Sequence, residues 1–215
     1  MNVRHELLTG VAIAGFALAV TLPLLDQVAG ATNSRALAAP EGSTAVANAA
    51  PFTAQTYRST AGGWSVEIPD DWNATDEGRS AVFRSYDPAK VGFERDHGPE
   101  NGGIIPPGHV KVEVNVFPTQ KPISAAQAAD ANIGATSDAG SRERRLVSRR
   151  DDLVISGRPA TLLVIASTRP GVNQVSRLYF ATSSTGDRLF MVRVTPDNTT
   201  RSVEVDRVIS TLAIQ

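Results

Sequence analysis

The sequence predicts an α+β fold, in which an antiparallel β-sheet of about six to seven strands is flanked by two or three helices as an α/β/α sandwich. Two observations carry this prediction. Strand-like segments follow one another through short turns, as in hairpins, instead of alternating with helices as they do in a parallel sheet. The last helix has a single apolar stripe, which requires a sheet surface to bury it.

The last sixty residues show both features most clearly. Two strands, Gln174–Thr182 and Arg188–Thr195, are joined by a polar turn, and a helix is predicted over Thr199–Leu212. Both strands carry apolar residues with period two, so we expect them to be covered on both sides. The apolar residues are Leu178 and Phe180, then Phe190, Val192 and Val194, with Val175, Tyr179, Leu189 and Met191 on the opposite faces. The helix stripe consists of Val205, Val208, Ile209 and Leu212.

Residues 1–29 are predicted to be a signal peptide or an N-terminal membrane anchor. The apolar run Val11–Val20 follows Arg4, and the wider segment Leu7–Leu25 has about the 17–25 residues that crossing a bilayer requires. Small residues after Pro23 resemble a cleavage region. Both alternatives predict an exported protein, either periplasmic or extracellular or tethered to the outer side of the cytoplasmic membrane.

Residues 30–51 are predicted to be a disordered linker. They are mostly Ala, Ser, Thr, Asn and Pro, with almost no charge and no periodicity, so they cannot bury enough surface to offset the entropy of ordering. Patterned strands begin soon afterwards. The folded domain is therefore predicted to span residues 52–215.

Three early strands of this domain are predicted from alternating side chains. They are Trp64–Ile68, Ala81–Tyr86 and Val110–Phe117, the last of which alternates valine with polar residues. Trp64 shares a face with apolar neighbours and is assigned to the core. Trp72 follows a turn; it could line a pocket, but a core or partly buried position is favoured.

The middle of the domain predicts a helix and another pair of strands. Ser124 and Gln127 form a capping box that starts the helix, and Gly134 is expected to end it. Two strands, Arg145–Ile155 and Ala160–Ser167, are expected to form a hairpin.

Composition excludes several classes of function. The 215 residues include no cysteine, so disulfides, thiolate metal sites, cysteine nucleophiles and a lipoprotein anchor are excluded. Two of the 21 basic and three of the 22 acidic residues precede Phe52, which leaves 19 of each in the domain. A domain with no net charge gives no indication of nucleic-acid binding.

The segment Gly63–Trp72 has the pattern G-[YW]-S-x-x-x-P-x-x-W. It resembles the entry strand of the PsbP-like family, the extracytoplasmic bacterial relatives of the photosystem II extrinsic oxygen-evolving subunit. Three further segments, Ile105–Gly108, Gly157–Ala160 and Ile209–Leu212, are similar to that family in order and spacing. The resemblance extends from about Thr56 onward.

The resemblance implies an antiparallel sheet flanked by helices, an extracytoplasmic location, and a binding or assembly role without catalysis. The family has no family-wide catalytic residue that could be carried over. The metal-binding histidines of the photosystem subunit have no match at His97 or His109, which argues against a photosynthetic role. No metal and no cofactor are predicted.

The long loop Asp87–Gly108 is the first candidate binding segment, because loops of this length in a compact domain are usually functional or disordered. The candidate contact residues in and beside it are Phe93, Glu94, Asp96, His97 and His109. The carboxylates and imidazoles of this stretch could also hold a divalent ion, namely Glu94, Asp96, His97, Glu100 and His109. Their spacing matches no ligand pattern, so a solvated loop is favoured over a metal site.

Five arginines between residues 142 and 150 form the strongest charge cluster, and Arg145 and Arg149 are its candidate contact residues. Arginine could bind phosphates, anionic lipid head groups or an acidic partner. Neighbouring carboxylates neutralise part of the cluster, and alternation along a strand sends successive arginines to opposite faces. A solvated edge strand is therefore the favoured interpretation.

The sequence favours a non-catalytic extracytoplasmic binding or assembly module at the cell envelope, with an envelope or membrane protein as partner. The alternative is a carrier of a small apolar molecule or lipid in a cleft between sheet and helix. A hydrolase is less favoured, because Ser65 lacks the second glycine of a nucleophile elbow and only His97 and His109 of the domain could act as base. The oligomeric state is not defined.

The predicted domain boundary has a direct test. A chain that begins at Phe52 is expected to fold alone and to melt cooperatively, because every patterned strand lies beyond that residue. Circular dichroism during heating measures this. A broad, non-cooperative melt would place the boundary elsewhere.

Overall fold

The computed structural model describes residues 53–91, 105–137, 143–169, 172–197 and 199–215. The predicted N-terminal segment and linker lie outside these ranges, and both stay predictions. The described residues form ten strands and three helices: β1 Ala54–Ser59, β2 Trp64–Pro69, β3 Asn73–Glu77, β4 Ser80–Arg84, α1 Pro88–Val91, β5 Lys111–Pro118, α2 Ala125–Ser137, β6 Glu143–Ile155, β7 Arg158–Arg169, β8 Val172–Thr182, β9 Arg188–Thr195, α3 Ser202–Thr211 and β10 Ala213–Ile214.

Seven strands form one antiparallel sheet in the order β3-β4-β5-β9-β8-β7-β6. The predicted fold class, an α+β fold built on an antiparallel sheet, is confirmed. The register sets Tyr179 opposite Val192 and Phe180 opposite Met191. Phe180 therefore shares a face with Met191, whereas Val192 lies on the other face with Tyr179. Apolar residues cover both faces of this hairpin, as its pattern predicted.

The expectation of a single sheet is wrong, because the first predicted strand belongs to a second sheet. β2 does not join the large sheet but pairs with β1 and with β10 in a separate three-stranded antiparallel sheet. The backbone N–H of Gln215 donates to the carbonyl of Gly63 at 2.9 Å, which extends this contact. The alternation of Trp64, Val66 and Ile68 predicts a half-buried strand, but it does not specify which strands pair with it.

The small sheet and α3 cover one face of the large sheet and enclose the main core. Trp64 and Phe83 meet there edge to face, with ring centroids 6.2 Å apart. The valines at alternate positions of β5 point into this core, as do Val205, Val208 and Leu212 of the predicted helix stripe, with Ile209 at its margin. The stripe prediction is confirmed, and the helix begins at Ser202, three residues later than predicted.

α2 covers part of the opposite face, over β6, β7 and β8. Its buried residues are Ala125, Ala128 and Ala129, whose short side chains allow the helix to approach the sheet closely. The capping box is confirmed: the Ser124 N–H donates to Gln127 Oε1 at 2.9 Å and the Gln127 N–H donates to Ser124 Oγ at 3.1 Å.

The predicted end of α2 at Gly134 is wrong, because the helix continues to Ser137. Gly134 is not among the residues with a positive φ. A glycine inside a helix costs only about 1 kcal/mol relative to alanine, which does not outweigh the bonds of the continuing helix. Among the helices of the described ranges, none is long and apolar enough to cross a bilayer.

The β6–β7 hairpin turns at Ser156 and Gly157, which both have positive φ, at 54° and 72°. Ile155 pairs with Arg158 across this two-residue loop, which is the geometry of a type I′ turn. Pro159 lies beside the turn, before β7 begins to pair with β8 at Thr161. The predicted hairpin is thus present, and the proline removes no hydrogen bond between β7 and β8.

Trp72 is buried, and its indole N–H donates to Glu204 Oε2 at 3.0 Å. Arg201 donates to the same oxygen at 2.8 Å. The polar atom of a buried indole needs such a partner, so Glu204 fixes the first turn of α3 against the segment after β2. Trp72 is thus a core residue, as favoured, rather than part of a pocket wall.

Two phenylalanines on neighbouring strands give a matched test of the core. Phe190 on β9 is fully buried, whereas Phe117 on β5 is 45% exposed on the other face. Phe190→Ala is expected to lower the free energy of unfolding by roughly 3–5 kcal/mol, because it leaves a cavity. Phe117→Ala should cost less than about 1 kcal/mol. Urea denaturation measures both, and equal losses would contradict the assigned faces.

Candidate functional site

A charged pocket lies over strands β4, β5 and β9 of the large sheet. It is on the same face as α2, which packs over β6, β7 and β8. We call it the sheet-face pocket, and its volume is about 280 Å³. β5 positions its polar residues here because its valines at alternate positions face the main core. The lining residues are Glu77, Val82, Arg84, Lys111, Glu113, Asn115, Phe117, Met191 and Arg193.

The floor of the pocket places two cations side by side. Arg84 on β4 and Lys111 on β5 are directly opposite in the register, and they are only 2% and 3% exposed. Like charges in directly opposite positions destabilise a sheet, and burial adds a desolvation cost. Arg84 also donates to Thr75 Oγ1 at 3.0 Å, which orients its guanidinium group.

Glu113 is the carboxylate at the centre of the pocket. Its Oε1 lies 3.6 Å from Lys111 Nζ, and its Oε2 lies 3.5 Å from Arg193 Nη1. The second contact is an ion pair without hydrogen-bond geometry, because Oε2 is a buried acceptor with no hydrogen-bond partner among the described residues. The described lining thus combines three cations with two carboxylates, Glu113 and Glu77.

The rim of the sheet-face pocket is apolar on one side. Phe117 is 45% exposed and Met191 is partly buried, and both line the cavity. A cationic floor beside an aromatic and a thioether side chain can receive an anionic group and an adjoining apolar group. Among the described residues, no group of three or more histidine or acidic side chains is placed to hold a metal ion.

His109 lies just before β5, at the side of Ser85 and Tyr86. Its Nδ1 is 2.7 Å from the carbonyl oxygen of Ser85 and 3.2 Å from Ser85 Oγ. A carbonyl can only accept, so Nδ1 carries the proton and Nε2 is left as the acceptor of the neutral ring. This geometry therefore defines the tautomer of His109. It also holds the imidazole ring of His109 against the backbone of Ser85.

Arg149 is held by two carboxylates, Asp151 at 2.7 Å and Asp130 on α2. The hydrogen bonds to Asp151 and then to Asp130 raise the pKa of Arg149. In return, the hydrogen bonds from Arg149 and then Thr161 hold the pKa of Asp151 below its usual value. Arg145 is exposed on the same strand, which is an edge strand as the sequence favoured.

The structure does not bring the sequence-predicted site residues together. His109 lies at β5 and Arg145 and Arg149 lie on β6, four strand spacings or about 19 Å apart in the sheet order. Four other candidates, Phe93, Glu94, Asp96 and His97, are outside the described residues. All seven assignments stay predictions.

Sequence reasoning missed the sheet-face pocket. Lys111 and Glu113 alternate with valines, a pattern that predicts a strand but no pocket. Arg84 ends an apolar strand with no local signal. Only the pairing of β4 with β5 makes Arg84 and Lys111 neighbours, and a single sequence does not specify that pairing.

No protein-family model matches this chain, and no curated protein matches it in sequence. Among solved structures it is similar to the cyanobacterial PsbP of Synechocystis sp. PCC 6803, with 19% identity over 82% of this chain and 100% of that one, at a TM-score of 0.47. The sequence resemblance to the PsbP-like family thus has a counterpart among solved structures, and the likeness is one of fold alone.

Two other similar structures have lower identities. The Ran-binding protein Mog1p of Saccharomyces cerevisiae is 8% identical over 76% of this chain and 96% of its own, at a TM-score of 0.48. LpqN, described as involved in cell envelope biogenesis of Mycobacterium tuberculosis, is 10% identical over 76% of this chain and 84% of its own, at a TM-score of 0.44.

The Arg149–Asp151 pair predicts a titration shift. Arg149→Met is expected to raise the pKa of Asp151 towards the usual value of about 3.9. Because the pKa of Asp151 is lower in the folded chain than in the unfolded chain, its ionised carboxylate stabilises the fold at any pH above the unfolded pKa. This contribution is lost as the pH falls through the folded pKa. Carboxyl carbon NMR titration measures the change. Asp187, whose pKa is lowered by Ser183 and Thr185, is the control and should not move.

Proposed function

We propose that this chain is a non-catalytic binding module at the outer side of the cell envelope, and that the sheet-face pocket receives an anionic group of its partner. The observation that carries the proposal is the pair of buried cations, Arg84 and Lys111, in directly opposite positions on the pocket floor. Departures from the pairing preferences of a sheet are concentrated at functional sites, and an anion between two cations offsets their repulsion.

The size of the pocket limits what can enter. Ligand sites for drug-sized molecules usually have volumes of about 300–1,000 Å³. At about 280 Å³, the sheet-face pocket suits a carboxylate or phosphate group and its immediate neighbours rather than a whole large ligand. A side chain or terminus of a partner protein, with its apolar part against Phe117, fits these dimensions.

Two further features support the details of the proposal. The N-terminal apolar segment of the sequence supports an exported or membrane-tethered location. His109 supports a role without catalysis, because its Nδ1 donates to the Ser85 backbone carbonyl and Ser85 Oγ accepts from the Val110 N–H. Ser85 and His109 are thus engaged in holding the segment before β5.

The carrier alternative receives less support. A lipid between sheet and helix would require space beneath α2, but Ala125, Ala128 and Ala129 fill that contact and pack on Leu163 and Phe180. The sheet-face pocket lies beside α2 and is lined by charged groups, from which an acyl chain would exclude water without offering polar contacts of its own.

Arg84→Met tests the proposal, because it removes one cation and leaves the Lys111–Glu113–Arg193 ion pairs in place. The tagged full chain is recovered from envelope membranes in mild detergent, and the proteins that accompany it are quantified by mass spectrometry. The recovered amount of a protein that binds the unmodified chain should fall by about tenfold or more, because this is the effect expected from the loss of a hydrogen bond to a charged group.

Arg58→Met is the matched control, since Arg58 is an exposed residue of β1 in the other sheet. It should recover the same partners as the unmodified chain. Thermal melts of both variants establish that they are folded. If folded Arg84→Met captures every partner at the unmodified level, the sheet-face pocket is not the binding site.

A further inference from the structure

One face of β5 presents four different side chains in a fixed order along the sheet-face pocket. Lys111, Glu113, Asn115 and Phe117 alternate with the buried valines of this strand, and all four line the pocket. Neighbours in this row are about 7 Å apart, because a strand rises about 3.4 Å per residue and alternate residues share a face. The row therefore runs from a cation, through a carboxylate and an amide, to an aromatic ring.

The cationic end of the row is also the end of the pocket. Lys111 begins β5, and Arg84 beside it ends β4. The described lining of the pocket extends no further in that direction, whereas it continues along β5 in the other direction as far as Phe117. A ligand that lies along the row must therefore carry its anionic group at one end of its own chain.

A carboxylate on the side of the pocket restricts where else the ligand can be charged. Glu77 lines the pocket from the exposed strand β3, and no ion pair within the described part of the chain neutralises it. Glu113 in the row itself is offset by Lys111 and by Arg193. A second anionic group beyond the cations would be repelled by Glu77, so the rest of the ligand is not acidic.

Asn115 supplies the next contact along the row. Its side chain is half-buried, and its amide makes no hydrogen bond within the described part of the chain. An amide of this kind offers both donors and an acceptor, which match the C=O and N–H of a peptide group. Met191 lies directly opposite Asn115 on β9, and Phe117 is the next residue of the row, so an apolar surface adjoins this contact.

We propose that the sheet-face pocket binds the C-terminal end of a partner polypeptide, with the terminal carboxylate at Arg84 and Lys111. This inference rests on the proposed function, in which the pocket receives an anionic group. A peptide group near that end bonds to Asn115, and an apolar side chain of the same segment packs on Met191 and Phe117.

The length of the row sets how much of the partner is bound. The ammonium group of Lys111 reaches the level of Glu113, where it lies 3.6 Å from Oε1. From that level Phe117 is two steps of the row away, or about 14 Å. An extended peptide rises as much per residue as β5 does, so about four residues cover this distance. Alternate side chains of the peptide point away from the sheet, which is why a small pocket suffices.

Short synthetic peptides test the proposal on the full chain in mild detergent. The probe is Ala-Leu-Leu-Ala with a free C-terminal carboxylate and an uncharged coumarin on its N-terminus, and fluorescence anisotropy measures its binding. Adjacent leucines point to opposite sides of an extended peptide, so one of them faces the apolar surface in either orientation. The same peptide with a C-terminal amide should bind at least about tenfold more weakly, because it lacks the charge that the two cations receive.

An internal carboxylate distinguishes a chain end from an acidic side chain. The coumarin-labelled peptide Ala-Leu-Asp-Leu-Ala with a C-terminal amide has the same charge as the probe, but not at its end. It should bind about tenfold more weakly than the probe. The proposal is overturned if this peptide or the amide form of the probe binds as tightly as the free acid. It is also overturned if the free acid shows no saturable binding.

Asn115→Leu tests the direction in which the peptide lies. It should weaken binding of the free-acid probe about fivefold, which is the usual effect of losing one uncharged hydrogen bond. Asn173→Leu, at an exposed position of β8, is the matched control and should leave binding unchanged. Thermal melts establish that both variants are folded. Unchanged binding to folded Asn115→Leu contradicts a peptide lying along the row and overturns the proposal.

Failure of this inference is distinguishable from failure of the proposed function. Arg84→Met should weaken binding of the free-acid probe at least about tenfold. If Arg84→Met loses envelope partners but the probe does not bind the unmodified chain, the pocket receives an anion of another kind, and only this inference is overturned. If the probe binds Arg84→Met and the unmodified chain equally, and envelope partners are also retained, both are overturned.

Discussion

The fold depends on how the two faces of one antiparallel sheet are covered. One face is closed by the small sheet and α3, which enclose the main core around Trp64 and Phe83. On the other face α2 packs over β6, β7 and β8 and leaves β4, β5 and β9 beyond it. Side chains of a strand alternate between faces, so β5 must supply valines to the closed side and different residues to the side beyond α2.

This unequal cover explains where the charged pocket lies. Lys111, Glu113 and Arg193 belong to strands whose other face is fixed in the main core, so their backbone positions are rigid. On such a strand the backbone cannot shift to move one charged group away from a neighbour of like sign, whereas the backbone of a loop can. The position of Arg84 beside Lys111 is therefore imposed by the pairing of β4 with β5. Sites on rigid strands are held in binding geometry before a partner arrives, which lowers the entropy cost of binding.

Features encoded by neighbouring residues were predictable from the sequence, and features encoded by pairing were not. The capping box at Ser124 and Gln127, the stripe of α3 and the β8–β9 hairpin are local patterns, and the structure has all three. The separate small sheet, the exposed strand β3 and the two-residue strand β10 have no such pattern. The charged pocket needs three strands that are distant in sequence, so single-sequence periodicity could not assemble it.

The two edges of the large sheet limit further pairing by different means. β3 is short, with five exposed residues and two carboxylates, Asp76 and Glu77, near its end, so it offers little surface to another strand. β6 is long and would be a hazard without its bulges and charges.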